Sequence, residues 1–143
     1  MSQLGEIMST NVASVSPQDP IQQAAMLMKQ YNVGIIPVVE NGQLQGVVTD
    51  RDVVLRSVAD QNGASLTVGD VMTNQNLITG SPNMSVDEAS QLMAQHQIRR
   101  LPVVDNNQLV GIVALGDLAV RQQHSDEAGQ ALANISEQDN IQM

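Results

Sequence analysis

An α/β fold assembled twice, from two β-α-β-β-α units packed sheet to sheet about a pseudo-twofold axis, is the architecture this sequence predicts. Three observations carry the prediction. The segment Gly46-Val47-Val48-Thr49-Asp50-Arg51-Asp52 returns as Gly111-Ile112-Val113-Ala114-Leu115-Gly116-Asp117. Around each copy the same signals stand in the same order: a helix start, an apolar helical stripe, an aliphatic run with a central proline, a tight-turn pair and a second aliphatic run. Finally, each half of the 143 residues is too small to bury a convincing core alone, whereas repeated units gain stability by packing on their copies.

Taken in order, residues 3–8 suit a short entry helix and residues 12–15 a short strand. Asp19-Pro20 opens a helix with an Asp cap and Pro at the first helical position, ahead of Ile21, Ala24, Ala25, Leu27, Met28 and Tyr31 at helical spacing. Residues 33–39 read as a strand, Asn41-Gly42 as the strongest short hairpin signal, and residues 44–48 as the returning strand. Thr49 stands at the junction with a helix over residues 50–59. Its hydroxyl can accept from amides two or three residues on, and Thr49 with Asp52 is spaced like a capping box with a short acid. That spacing alone describes an ordinary, well-made helix start. Residues 60–65 form a polar linker.

The second copy then begins. Gly69-Asp70-Val71-Met72 mirrors Gly5-Glu6-Ile7-Met8 at an offset of 64 residues. After one extra residue near Asn76 the offset becomes 65 and holds for Pro17 with Pro82, Pro37 with Pro102, Gly46 with Gly111, Asp52 with Asp117 and Arg56 with Arg121. Leu77-Ile78-Thr79 matches the first strand, and Ser85-Val86-Asp87-Glu88 has the form of a capping box before Ala89, Leu92, Met93 and His96. Residues 98–104, the turn pair Asn106-Asn107 and residues 109–113 rebuild the hairpin, followed by a helix over 115–122. The expected organisation is a first motif over 1–64, a second over 65–124, and a tail over 125–143 that is partly helical and then frayed.

Composition narrows the functions. Hydrophobic residues make up 42% of the chain, with no Phe or Trp and a single Tyr, so the core is aliphatic. Cys is absent, which excludes disulfides, thiolate metal sites and cysteine nucleophiles. With a net charge of −9 and six basic residues, the chain lacks both the phosphate-tracking patch and the stacking platform of a nucleic-acid binder. One or two local arginines still suffice to hold the phosphate of a free nucleotide. No run approaches the roughly 18 apolar residues of a membrane span, and the N-terminus lacks a basic-then-apolar signal pattern. A soluble cytoplasmic protein without a membrane partner is expected. No Ser-His-Asp constellation, metal-ligand spacing or Gly-rich phosphate loop stands out, so neither an enzyme, a metal nor a resident cofactor is expected.

With both copies laid out, the chain resembles a tandem CBS-domain pair, also called a Bateman module, of the stand-alone bacterial kind. The resemblance rests on Asp70-Val71-Met72-Thr73 at the repeat start, on Ile36-Pro37-Val38-Val39 and Leu101-Pro102-Val103-Val104, and on the two G-h-h-x-x-x-D segments, with h an aliphatic residue. It covers residue 5 to about residue 122. It implies a cleft between the motifs with two adenosine-type sites, a homodimer, and a ligand such as AMP, ADP, ATP or S-adenosylmethionine. In the family the pattern G-h-h-(T/S)-x-x-D carries the ribose contacts, which falls here on Thr49 and Asp52. The chemistry suits them: a carboxylate can accept from two vicinal hydroxyls in charge-assisted bonds, and a hydroxyl beside helix amides suits a sugar or phosphate oxygen.

The second copy departs from that pattern. Ala114 stands where Thr or Ser belongs and Gly116 where the first copy has Arg51, while Asp117 remains. The second site is therefore expected to bind weakly, to bind something else or to stay empty; one lost hydroxyl contact is worth on the order of 1 kcal/mol. The resemblance directs phosphates toward the shared cleft, where Arg51, Arg99 and Arg100 are the candidates, although an arginine pair at a strand edge also serves to balance Asp87 and Glu88. It gives the adenine walls to Val12, Ala13, Ile36, Leu77, Ile78 and Ile98, positions that a plain core equally explains. The implied function is a regulatory ligand-sensing module acting on an unknown effector protein. The alternative is a ligand-free dimerisation or adaptor domain.

Overall fold

The computed structural model of the chain describes residues 2–58 and 66–120. The expected linker and C-terminal tail, and Arg121, lie outside the described residues. The first half runs through α1 (Leu4–Ile7), α2 (Ile21–Tyr31), β1 (Ile35–Glu40), β2 (Gln43–Thr49) and α3 (Asp50–Val53), which continues as a wider π-helical turn over Val54–Val58. The second half repeats the order with α4 (Val68–Val71), α5 (Val86–His96), β3 (Arg100–Asp105), β4 (Gln108–Ala114) and α6, helical residues 115–120.

The hairpins are the best-matched parts. β1 pairs with β2 from Ile35↔Thr49 to Glu40↔Gln43, and β3 with β4 from Arg100↔Ala114 to Asp105↔Gln108. Each carries a register shift at the same place, between Val38 and Val39 and between Val103 and Val104. The turns follow from their residues. Asn41 and Gly42 have φ of 54° and 81°, and Asn106 and Asn107 of 51° and 66°; two left-handed residues are what a two-residue hairpin of matching twist requires, and Asn and Gly accept that conformation most readily. The two hairpins join into one sheet of order β1-β2-β4-β3 through a single residue pair, Gln43↔Gln108. Bonds from Leu44 N–H to Asn107 O (3.1 Å) and from Leu109 N–H to Gly42 O (2.9 Å) flank it.

Three local expectations change. The first strand of each half shrinks to one parallel bridge, Val15↔Val38 in the first and Gly80↔Val103 in the second. The chain turns immediately afterwards at Pro17 and Pro82, and proline offers no N–H to continue a ladder. At the start of α2 Pro20 occupies the N-cap position, not the first helical one, and Asp19 accepts instead from Ser16 N–H (2.9 Å). Ser85 does cap α5, accepting from Glu88 N–H at 3.1 Å, but the Glu88 carboxylate takes the Ser85 hydroxyl rather than closing the reciprocal half of the box.

The halves are interlocked through their leaders. Leu4 of α1 is fully buried in the second core, with Val86, Ala89, Met93, Leu101 and Val113. Val68 and Val71 of α4 are fully buried in the first, with Val15, Ile21, Ala24, Ile36 and Val48. Backbone bonds fix the exchange: Leu4 N–H to Met84 O and Gly5 N–H to Pro82 O on one side, Val68 N–H to Asp19 O and Gly69 N–H to Pro17 O on the other. After each leader the chain runs along the other half's hairpin, Ser9 pairing with Ile112 and Thr73 with Val47. This explains a glycine of the repeated motif. A Cβ on Gly46 would lie 2.6 Å from Thr73 O, so the leader can approach only because no side chain stands there.

Candidate ligand-binding site

β2 delivers Thr49 to the N-terminus of α3 in an extended conformation (φ −112°, ψ 163°), and the sequence there closes a full capping box. Asp52 N–H donates to Thr49 Oγ1 (3.0 Å) and Thr49 N–H donates to Asp52 Oδ2 (3.1 Å). The exchanged leader adds a third member. The Thr73 hydroxyl donates to the Asp52 carboxylate, 3.3 Å from Oδ1 and 3.2 Å from Oδ2. Arg56 Nε lies 3.9 Å from Asp52 Oδ1, while its Nη1 donates to Val71 O (3.2 Å) and Met72 O (3.3 Å). Asp52, 7% exposed, is the one charged or polar residue among the buried set of described residues. Its carboxylate tolerates burial because backbone, hydroxyl and guanidinium donors surround it.

Three hollows meet around this junction. A central cleft of about 550 Å3 has Gly34, Thr49, Asp50, Arg51, Arg99 and Arg100 on its walls. A pocket of about 180 Å3, here the Thr49 pocket, has apolar walls from Leu77, Ile78 and Ile98 and a polar end from Thr49, Thr73 and Arg100. A third of about 220 Å3, the Tyr31 pocket, lies at the equivalent place in the other half, with Ser9 where the first has Thr73, Val33 where it has Ile98, and Tyr31 at its edge. Concave, mostly apolar walls with a few polar groups are the usual form of a small-molecule site.

The structure thus brings Thr49, Arg51, Arg99, Arg100, Leu77 and Ile98 to these walls. Ile36 is 1% exposed and belongs to the first core, reaching the Tyr31 pocket from that position. Asp52 lies behind the Thr49 pocket rather than on its wall; it acts there through Thr49 and Thr73, whose positions it fixes. Asp117 differs from its counterpart. It is exposed on α6, lines none of the three hollows, and has no hydroxyl at Ala114 to close a box with. Arg99 and Arg100 form no ion pair among the described residues. Thr73, Asp50 and Tyr31 are wall residues that sequence reasoning did not assign to a site. Thr73 stood inside a quoted motif, but its meeting with Asp52 depends on the leader exchange, which no spacing along one copy reveals. No group of three or more metal-ligating side chains occurs among the described residues.

Two interlocked β-α-β-β-α units with a pocket on each side of a basic cleft define a duplicated ligand-site architecture, and comparison with known proteins gives its family. The CBS domain family model matches residues 4–58 and 68–123, and the chain belongs to the CBS-domain family. It is 59% identical over 138 residues to the CBS domain-containing protein YhcV of Bacillus subtilis, covering 96% of this chain and 98% of that one. Among solved structures it is similar to CBSX2 in complex with AMP, with a TM-score of 0.74, 26% identity and coverage of 88% of this chain and 99% of that one. It is also similar to the CBS domain pair of MJ0100 in complex with 5′-methylthioadenosine and S-adenosylmethionine, with a TM-score of 0.73, 28% identity and coverage of 87% and 98%. No helix among the described residues is long and apolar enough to cross a membrane.

Proposed function

We propose that this chain is a non-enzymatic regulatory module of the cytoplasm that binds an adenosine-containing nucleotide or S-adenosylmethionine in the Thr49 pocket, with the ligand's charged end in the central cleft. The observation that carries the reading is the pocket itself. It sets Leu77, Ile78 and Ile98 against Thr49, Thr73 and Arg100, and it shares Thr49, Ile98 and Arg100 with a cleft that also holds Arg51 and Arg99. An adenine ring suits the aliphatic walls, the Thr49 hydroxyl can donate to a ribose or phosphate oxygen, the Thr73 oxygen, its proton given to Asp52, can accept from a ribose hydroxyl, and the guanidinium groups suit phosphate in bidentate pairs. That similar domain pairs hold AMP, or 5′-methylthioadenosine and S-adenosylmethionine, supports the class of ligand. Asp52 contributes as a positioning residue through its bonds to Thr49 and Thr73.

The reading is tested by a thermal-shift panel of AMP, ADP, ATP, S-adenosylmethionine and GTP on the full chain. A ligand at about a hundred times its Kd adds about 2.7 kcal/mol to stability, equivalent to roughly 5–10 °C for a chain of this size. A shift with an adenosine ligand that Thr49→Val reduces, and that Arg100→Ala reduces where the ligand carries phosphate, is the expected result; no shift with any of the adenosine ligands refutes it. A second reading, self-association, is favoured by exposed apolar side chains on matching helical segments: Val54 and Leu55 after α3, Leu115 and Val120 on α6. In that reading the chain is a homodimer, and light scattering of wild type against Leu55→Lys reports it. A monomer in the wild type rejects it.

A further inference from the structure

The Thr49 and Tyr31 pockets occupy matching positions but share one cation. Arg100 opens β3 opposite Ala114, and its counterpart Ile35 opens β1 opposite Thr49. The six residues of β1 and of β3 follow the same burial pattern, three buried residues in a row after a half-buried first one, so the two side chains stand at equivalent points. Both Arg100 and Ile35 line the Thr49 pocket, the Tyr31 pocket and the central cleft. In one half an aliphatic side chain holds this crossing point; in the other a guanidinium does. Arg100 is half-buried and forms no hydrogen bond or ion pair among the described residues, so it is not committed to either side. It is the one charged residue on the wall of the Tyr31 pocket, whose other polar side chains are the neutral Ser9, Asn11 and Tyr31.

A guanidinium closes a bidentate pair with one phosphate at a time. Both pockets open onto the cleft that holds Arg51 and Arg99, but by different walls: the Thr49 pocket shares with it the Thr49 hydroxyl, next along the chain to Asp50 and Arg51, whereas the Tyr31 pocket reaches it only through Val33, Ile35 and Arg100 and has Ser9, Asn11 and Tyr31 as its neutral polar side chains. We propose that Arg100 is a shared cation that couples the two pockets. A phosphate-bearing ligand in the Thr49 pocket draws Arg100 to itself, and the Tyr31 pocket then takes an adenosine-type ligand that carries no phosphate. Two phosphate ligands on one chain compete for the same side chain, and by linkage each weakens the other equally. This inference rests on the adenosine-ligand reading above and adds to it the charge class of each pocket and the coupling between them.

Calorimetric titration of the full chain with AMP and with adenosine tests it. Wild type takes one AMP per chain, any second AMP binding at least about tenfold more weakly (about 1.4 kcal/mol), and the AMP-saturated protein takes one further equivalent of adenosine. Ile35→Arg places a guanidinium at the equivalent point, on the wall of all three hollows, and raises the stoichiometry to two AMP per chain. Arg100→Ile weakens AMP about tenfold or more while adenosine binding stays within about threefold. Two AMP of equal affinity on wild type, or an unchanged AMP affinity in Arg100→Ile, overturns the shared cation while leaving the sensing function intact. Those two measurements decide the matter even if Ile35→Arg fails to fold. Absence of binding by both AMP and adenosine overturns the coupling, and the sensing function falls with it only when the whole adenosine panel gives no thermal shift.

Discussion

The duplicated motif supplies a matched pair of substitutions inside one molecule, Asp52→Ala and Asp117→Ala. Removing the Asp52 carboxylate deletes the acceptor for Thr49 N–H and for the Thr73 hydroxyl, both part-buried. Bonds to a charged acceptor are each worth about 1.5–3 kcal/mol net. The Arg56 contact adds little, because at 3.9 Å with a guanidine side chain 55% exposed it is largely screened by water. Against the loss stand the relief of a buried charge and the better helix propensity of Ala, about 0.5 kcal/mol. The balance is a destabilisation of about 2–3 kcal/mol, or roughly 6–12 °C in Tm. Asp117 is exposed and faces Ala114 instead of a hydroxyl, so Asp117→Ala stays within about 0.5 kcal/mol. Urea unfolding followed by circular dichroism, with the midpoint read at constant m-value, measures both. Equal effects of the two substitutions would refute the claim that Asp52 is held by Thr49 and Thr73.

Four further outcomes are expected from the same assay. Gly46→Ala destabilises by about 1–3 kcal/mol, because its Cβ meets the Thr73 carbonyl, which cannot retreat without breaking the bridge to Val47; Gly116→Ala, with nothing within 4 Å of the new methyl group, stabilises α6 by up to about 1 kcal/mol. Ser90→Ala stabilises by about 0.5–2 kcal/mol, since Ser90 Oγ is buried without a hydrogen-bond partner in α5 and the first copy already carries Ala25 there. Leu4→Ala costs about 2–4 kcal/mol despite lying near the N-terminus, because its side chain fills the second core; a loss below about 1 kcal/mol would contradict the leader exchange.

Much of this was legible along the chain. The repeat, the two hairpins with their Asn-Gly and Asn-Asn turns, and the Thr49–Asp52 capping box all rest on interactions within a few residues, where sequence spacing translates directly into geometry. The lone bridges at Val15 and Gly80 were not, because how many residues of an apolar run pair is decided by the approach of β1 and β3 and by the prolines that follow. Thr73 illustrates the larger gap. Its partner Asp52 lies in the other half, and only the crossing of the leaders brings them together. The same crossing gives Gly46 its reason: the sequence shows a glycine in a motif with a ligand-binding look, and the structure shows a glycine required by packing. The asymmetry of Ala114 and Gly116 was visible at once, whereas the sharing of Arg100 between two pockets depended on seeing both β1 and β3 open at one point.

The exchanged leaders also bear on how such a module arises and on how it can be divided. Each half lends its entry helix to the other and receives one in return, which is the arrangement two separate copies of a single motif would form by domain swapping. Duplication and fusion then convert a bimolecular association into an intramolecular one, with the linker supplying a high effective concentration. A cut in the linker should accordingly leave fragments that recombine with each other, while either fragment alone has an incomplete core and seeks a second copy of itself. The Thr49 pocket depends on the same exchange, since Thr73 reaches Asp52 only from across the fold; neither half alone holds that pocket.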